Sequence, residues 1–124
     1  MALDFGSART GVAVSDPTGV VARPLGVVLR ADIDEIVAIA RDQGVEEIVV
    51  GHPLTLRGER GEQAKATERF AKALRAAVDV PVVLFDERFT TDLAEQSSSS
   101  TSEDARAAAH LLSSYLEWSA SSRH

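Results

Sequence analysis

Residues 2–15, ALDFGSARTGVAVS, set the reading of the chain. An apolar run at 2–5 carries a single acid, Asp4, and breaks at once into Gly6, Ser7, Ala8 and Arg9. A second apolar run follows at 11–15. The pattern is strand, turn, strand, with the turn over Gly6–Thr10 and glycines at 6 and 11 allowing a tight reversal. Asp4 is the anomaly. Burying an unpaired carboxylate costs several kcal/mol, so a metal ion, a bound phosphate with its cation, or a structural partner such as Arg9 has to compensate it.

Working outward, GVVL at 26–29 reads as a third strand, and the short links make the three antiparallel hairpins. Ile33, Ile36, Val37 and Ala40 follow helical spacing over 32–42, with Gly44 as the stop. EIVVG at 47–51 is apolar throughout, as expected of a strand covered on both faces. The polar loop HPLTLRGERG then leads into a long helix at 61–78. VPVVLFDER gives another buried strand ending in charges. QSSSSTS at 96–102 reads as a flexible link before a last helix, EDARAAAHLLSSYLEW, striped by Ala108, Leu111, Leu112, Tyr115 and Leu116. The expectation is an α/β chain forming one domain over 1–124: a mixed five-stranded sheet, three antiparallel strands then parallel ones, flanked by helices.

Composition narrows the class. With 124 residues, 44% hydrophobic and 26% charged at net charge −6, the chain fits one globular domain. It has no cysteine, which excludes disulfides and thiolate metal sites. No apolar stretch approaches the roughly 20 residues of a membrane span, and no signal peptide is evident, so a cytoplasmic location without membrane contact is expected. The acidic balance argues against nonspecific coating of nucleic acid.

Acids stand at element ends: Asp4, Asp86 with Glu87, and Asp104. In open α/β sheets ligands gather outside the carboxyl ends of the strands. Carboxylates converging there repel one another unless divalent cations hold them, and Mg²⁺ or Mn²⁺ suits all-oxygen ligands. Spacing alone leaves other pairings open. Asp4 can pair with Arg9 or with turn amides, and Asp86 and Glu87 with Arg88 or solvent. Asp104 can serve the helix dipole, with Ser100 and Glu103 as a capping box. Asp86 and Glu87 also point to opposite faces of a regular strand, so one of them is the better ligand.

Four stretches together carry a resemblance: LDFGSARTGVAVSDPTG, GHPLTLRGERG, FDERFTT and DARAAAHLLSSYL. In this order they resemble the YqgF (RuvX) family over nearly the whole chain. The resemblance implies the ribonuclease H-like fold and a metal-dependent nuclease with Mg²⁺ or Mn²⁺. It points to maturation of the small-subunit ribosomal RNA precursor or, by analogy, to resolution of branched DNA. It implies Asp4, Glu87 and Asp104 as the catalytic acids, with Asp86 beside them as a metal ligand. Arg9 and Arg88 would steady phosphates or pair with the acids. Thr90 and Thr91 would cap the following helix, Thr90 touching the nucleic-acid backbone. Ser15 also matches the motif, and Asp16 before Pro17 reads as a turn. The first strand is shorter than in relatives, and polyserine stands where they carry a longer basic segment.

Arg57, Arg60 and Lys65, with Arg69 and Lys72, suggest a phosphate-tracking ridge, against a solvated face paired with Glu62 and Glu68. His52, His110 and Trp118 read as incidental or packing residues. Two other readings compete with catalysis. DFGSARTG resembles the phosphate loop of actin-like kinases and ATPases, which close two domains on a nucleotide. A ribonuclease H-like module that binds RNA or an assembly partner without cutting is the second. Nothing in the sequence identifies a dimer surface.

Overall fold

The computed structural model describes residues 1–89 and 100–122. Five strands form one mixed sheet: β1 (Ala2–Asp4), β2 (Arg9–Ser15), β3 (Ala22–Leu29), β4 (Ile48–His52) and β5 (Val82–Asp86). The spatial order is β3-β2-β1-β4-β5. β1 pairs antiparallel with β2 and parallel with β4, so the strand that bears Asp4 is where the antiparallel part of the sheet meets the parallel part. Helices α1 (Ile33–Gln43), α2 (Glu62–Arg75) and α3 (Ser100–Ser122) complete the order. Among the described residues no helix is long and apolar enough to cross a membrane.

Local chemistry places these elements. Gly6 makes the first turn: a Cβ there would collide with the Arg9 carbonyl. The buried Thr10 hydroxyl donates to the Gly6 carbonyl at 3.3 Å and closes the turn. Asp32 caps α1 by accepting from the Glu35 amide at 3.2 Å, and Gly44 ends it at φ 62°. Asp16 is a turn residue, as its place before Pro17 suggests. It accepts from the Val20 and Val21 amides at 2.9 and 3.1 Å and from the Thr18 hydroxyl at 2.7 Å.

Alternation along the strands divides the core. Leu3, Val12, Val28, Ile48 and Val50 face α1 and α2. Ala2, Ala13, Val49 and Phe85 face α3, meeting Ala108, Leu111 and Leu112. The side chains of β1 and β2 on the α3 face are small, so that helix can sit close to the sheet.

Several element boundaries differ from the sequence reading. β2 begins at Arg9 rather than 11, so Arg9 and Thr10 belong to the strand and not to the turn. β3 begins at Ala22 rather than 26, because its pairing with β2 continues past Pro24 across an irregularity at Val12/Ala13. Pro24 is tolerated there because β3 is an edge strand. α2 is shorter than 61–78 at both ends. α3 starts at Ser100, inside the stretch expected to be a flexible link, so Ser100 belongs to the helix. Thr90, Thr91 and residues 96–99 of the serine run lie outside the described residues.

Candidate active site

The carboxyl edge of the sheet has two chemically different sides, set by strand alternation. Asp4 ends β1 in register with Gly11, on the face that α3 covers. Gly11 is therefore a strand residue rather than part of the turn. A Cβ on it would run into the backbone carbonyl of Asp104, so its lack of a side chain lets α3 reach the sheet beside Asp4. Glu87 opens the short 3₁₀ turn after β5, over Glu87–Phe89, and its carboxylate lies over Gly51 of β4. A Cβ at Gly51 would stand 2.6 Å from Glu87 Oε2 and 3.0 Å from its Cγ. Two strand glycines thus clear space for two acids beside a third.

The electrostatics record the convergence. Burial pushes the Asp4 carboxyl up to about 6, and the Asp104 charge adds to the rise. Burial likewise pushes Glu87 up to about 7, with Asp4 and then Asp86 contributing repulsion. Arg9 Nε stands 2.9 Å from Asp104 Oδ2, so Arg9 faces Asp104 rather than compensating Asp4. The angle of that approach is not that of a hydrogen bond, and Asp104 Oδ2 is buried without a hydrogen-bond partner. Two carboxylates held toward their protonated forms and a buried, unsatisfied carboxylate oxygen are what a divalent cation would relieve, and the donor set is all oxygen. Among the described residues no group of three or more His, Asp or Glu side chains has the spacing of a formed metal site.

Asp86 is elsewhere. Expected among the metal ligands, it is held by Arg88, whose Nη2 donates at 2.6 Å, Nε at 3.0 Å and backbone amide at 2.9 Å. Those bonds lower its pKa. It lies on the α2 side because it follows Leu84 by two residues. Opposite it in register is His52, whose Nε2 is 2.7 Å from Glu68 Oε2. Arg60, expected at a phosphate, donates to the same Glu68 oxygen at 2.8 Å. Arg60 and then His52 drive the Glu68 carboxyl down to about 2. Glu68 therefore does not pair with the basic face of α2. Arg88 is engaged as well, and its Nη1 also donates to the Leu56 carbonyl at 3.3 Å. Arg57 and Lys65 are exposed.

Sequence reasoning missed Gly51 and the His52–Glu68–Arg60 cluster. Gly51 had a signal: a glycine at the end of a β-branched strand weakens it unless something must approach closely. The His52–Glu68 pairing had none, because it joins a strand end to the middle of a helix 16 residues on.

Comparison with known proteins gives the family. A family model described as "RuvX: Holliday junction resolvase" matches residues 1–118. A protein of Chloroflexus aurantiacus is 46% identical over 100 residues, covering 77% of this chain and 65% of that protein. One from Thermobifida fusca is 46% identical over 98 residues, covering 77% and 62%. One from Sulfurihydrogenibium is 38% identical over 128 residues, covering 94% and 88%. All three carry the name "Putative pre-16S rRNA nuclease". The chain spans about two thirds of the length of the Chloroflexus and Thermobifida relatives. With its acid-bearing central strand, mixed sheet and match over residues 1–118, this chain belongs to the RuvX family.

Proposed function

We propose that the chain is a divalent-metal-dependent endonuclease that hydrolyses phosphodiester bonds in structured RNA, with a 16S ribosomal RNA precursor as substrate. The observation that carries this reading is the convergence of Asp4, Glu87 and Asp104 on one face, two of them held well above the usual carboxylate range. A module that only binds RNA has no use for such costly acids beside its ligand's phosphates. The names of the relatives supply the substrate class.

Asp4, Glu87 and Asp104 would hold the cation, Mg²⁺ or Mn²⁺. When bound, it supplies charge that offsets the carboxylates and a phosphate oxygen, and it lowers the pKa of water. Arg9 stands against Asp104 as its ion-pair partner. Asp86 serves by keeping Arg88 in place, outside the acid cluster.

The test is cleavage of a labelled 16S precursor fragment with Mg²⁺ or Mn²⁺, beside a four-way DNA junction. Asp4→Asn is expected to lower RNA cleavage by roughly a hundredfold or more, with RNA binding retained. Junction cutting without RNA cutting would move the substrate to branched DNA. If Asp4→Asn cuts as well as the unmodified chain, the assignment of this site fails.

A further inference from the structure

The loop between β4 and α2 holds a residue that the packing does not use. Leu56 is 93% exposed, yet the turn that carries it is braced on every side. The Gly58 amide donates to the Thr55 carbonyl at 2.8 Å, and the Thr55 amide to the Glu59 carbonyl at 3.0 Å. The Thr55 hydroxyl accepts from the Glu59 amide at 3.0 Å. Gly58 sits at φ 82°, a conformation that side-chain-bearing residues rarely adopt.

The brace also fixes where the turn stands. Arg88 Nη1 donates to the carbonyl of Leu56 itself, while Nε and Nη2 of the same guanidinium are held by Asp86. A Cβ at Gly58 would be 3.3 Å from that Nη1, so the glycine gives the guanidinium its seat. Arg88 directly follows Glu87. The backbone of the exposed leucine is therefore tied, through one side chain, to the residue after a site acid. Arg57, beside Leu56 at the apex, is exposed, and no ion pair among the described residues involves it.

We infer that the Thr55–Gly58 turn is a nucleic-acid probe: Leu56 packs against or between bases next to the cleavage point, Arg57 takes a flanking phosphate, and Arg88 holds both in register with Glu87. The inference rests on the nuclease reading above and adds the element that reads substrate shape. An apolar side chain beside a cation matches the chemistry of a base next to its phosphate, and leucine is among the wedges that unstack base steps. A turn already rigid loses little entropy when it engages. Arg88 acts here as a positioning residue.

The test uses the full chain in EDTA, so that binding is read without cleavage. The probe is an RNA hairpin with a single-stranded flank carrying 2-aminopurine at successive positions, whose fluorescence rises on unstacking. The unmodified chain and Leu56→Met should raise the signal at one position. Leu56→Ser should abolish that rise and weaken binding about tenfold, the share that burying a leucine side chain can supply. Its thermal midpoint should not change, since the side chain packs against nothing. Arg88→Lys should blunt the rise while Leu56 is intact, because an ammonium lacks the planar fork that holds Asp86 on Nε and Nη2 and the Leu56 carbonyl on Nη1. Two results overturn the inference while the nuclease stands: binding and cutting with no unstacking at any position, or unstacking unchanged in Leu56→Ser. A chain that neither binds nor cuts the RNA overturns the nuclease reading and this inference together.

Discussion

Asp4 is an acid that folding holds against its own ionisation, and the sign of that effect can be measured. Its carboxyl rises from 3.8 to about 6 because burial disfavours the charge and Asp104 repels it. Between those values the folded chain binds more protons than the unfolded one, so stability falls as pH rises from about 4 to 6 and is level above. The full cost is about 3 kcal/mol. Asp4→Asn removes the charge and should therefore raise the thermal midpoint at pH 7.5 without divalent ions, by about 5 °C or more for a domain of this size. The gain should shrink steadily as pH is lowered from 6 to 4, as followed by calorimetry. A variant less stable than the unmodified chain at pH 7.5 would mean that Asp4 is a structural partner in its charged form. A residue that makes the fold more stable when removed, and cleavage weaker, is one kept for chemistry.

At the scale of elements, the site is built by two strand glycines that do different jobs. At Gly51 a new methyl would meet the far end of the Glu87 side chain, which can swing away. Gly51→Ala should therefore keep the thermal midpoint within a few degrees and lower cleavage by about a hundredfold, since the displaced carboxylate misses its place by an ångström or so. At Gly11 the methyl would meet the Asp104 backbone, which moves only if α3 moves. Gly11→Ala should cost about 1–3 kcal/mol of stability as well as activity, read by denaturant unfolding. Equal stability loss in both variants would show that Glu87 is as fixed as the helix. This contrast also shows what the sequence carried. Periodicity revealed the five strands and three helices, with several ends misplaced, and Asp4 and Asp86–Glu87 stood out as charges at the ends of apolar runs. What each charge touches was not legible. Arg60 read as a phosphate contact, and Arg9 and Arg88 as phosphate contacts or partners of the acids; each faces a carboxylate, and which one depends on the face of the strand a residue occupies.

Across the whole molecule, the division of the sheet edge decides how a chain of net charge −6 can approach a polyanion. The face with Asp4, Glu87 and Asp104 repels phosphates unless cations load it. The opposite side has its arginines neutralised by Asp86 and Glu68. Among the described residues, Arg57 and Lys65 are exposed cations on the β4–α2 side of this edge that no ion pair engages. Lys72 lies seven residues farther along α2, roughly 10 Å down the helix from Lys65. A ridge tracking the phosphates through Lys65, Arg69 and Lys72 would give RNA binding a steep salt dependence. Contact confined to the edge would give a shallow one. The edge geometry favours the second: a slope of log K against log salt of about −1.5, as two neutralised phosphates of a single strand produce. Replacing Arg57 and Lys65 together with alanine should nearly flatten that slope, and Lys72→Ala should leave it unchanged. A slope of −3 or steeper that falls on replacing Lys72 would restore the ridge and make the length of α2, rather than the Leu56 turn, the main electrostatic track for the substrate.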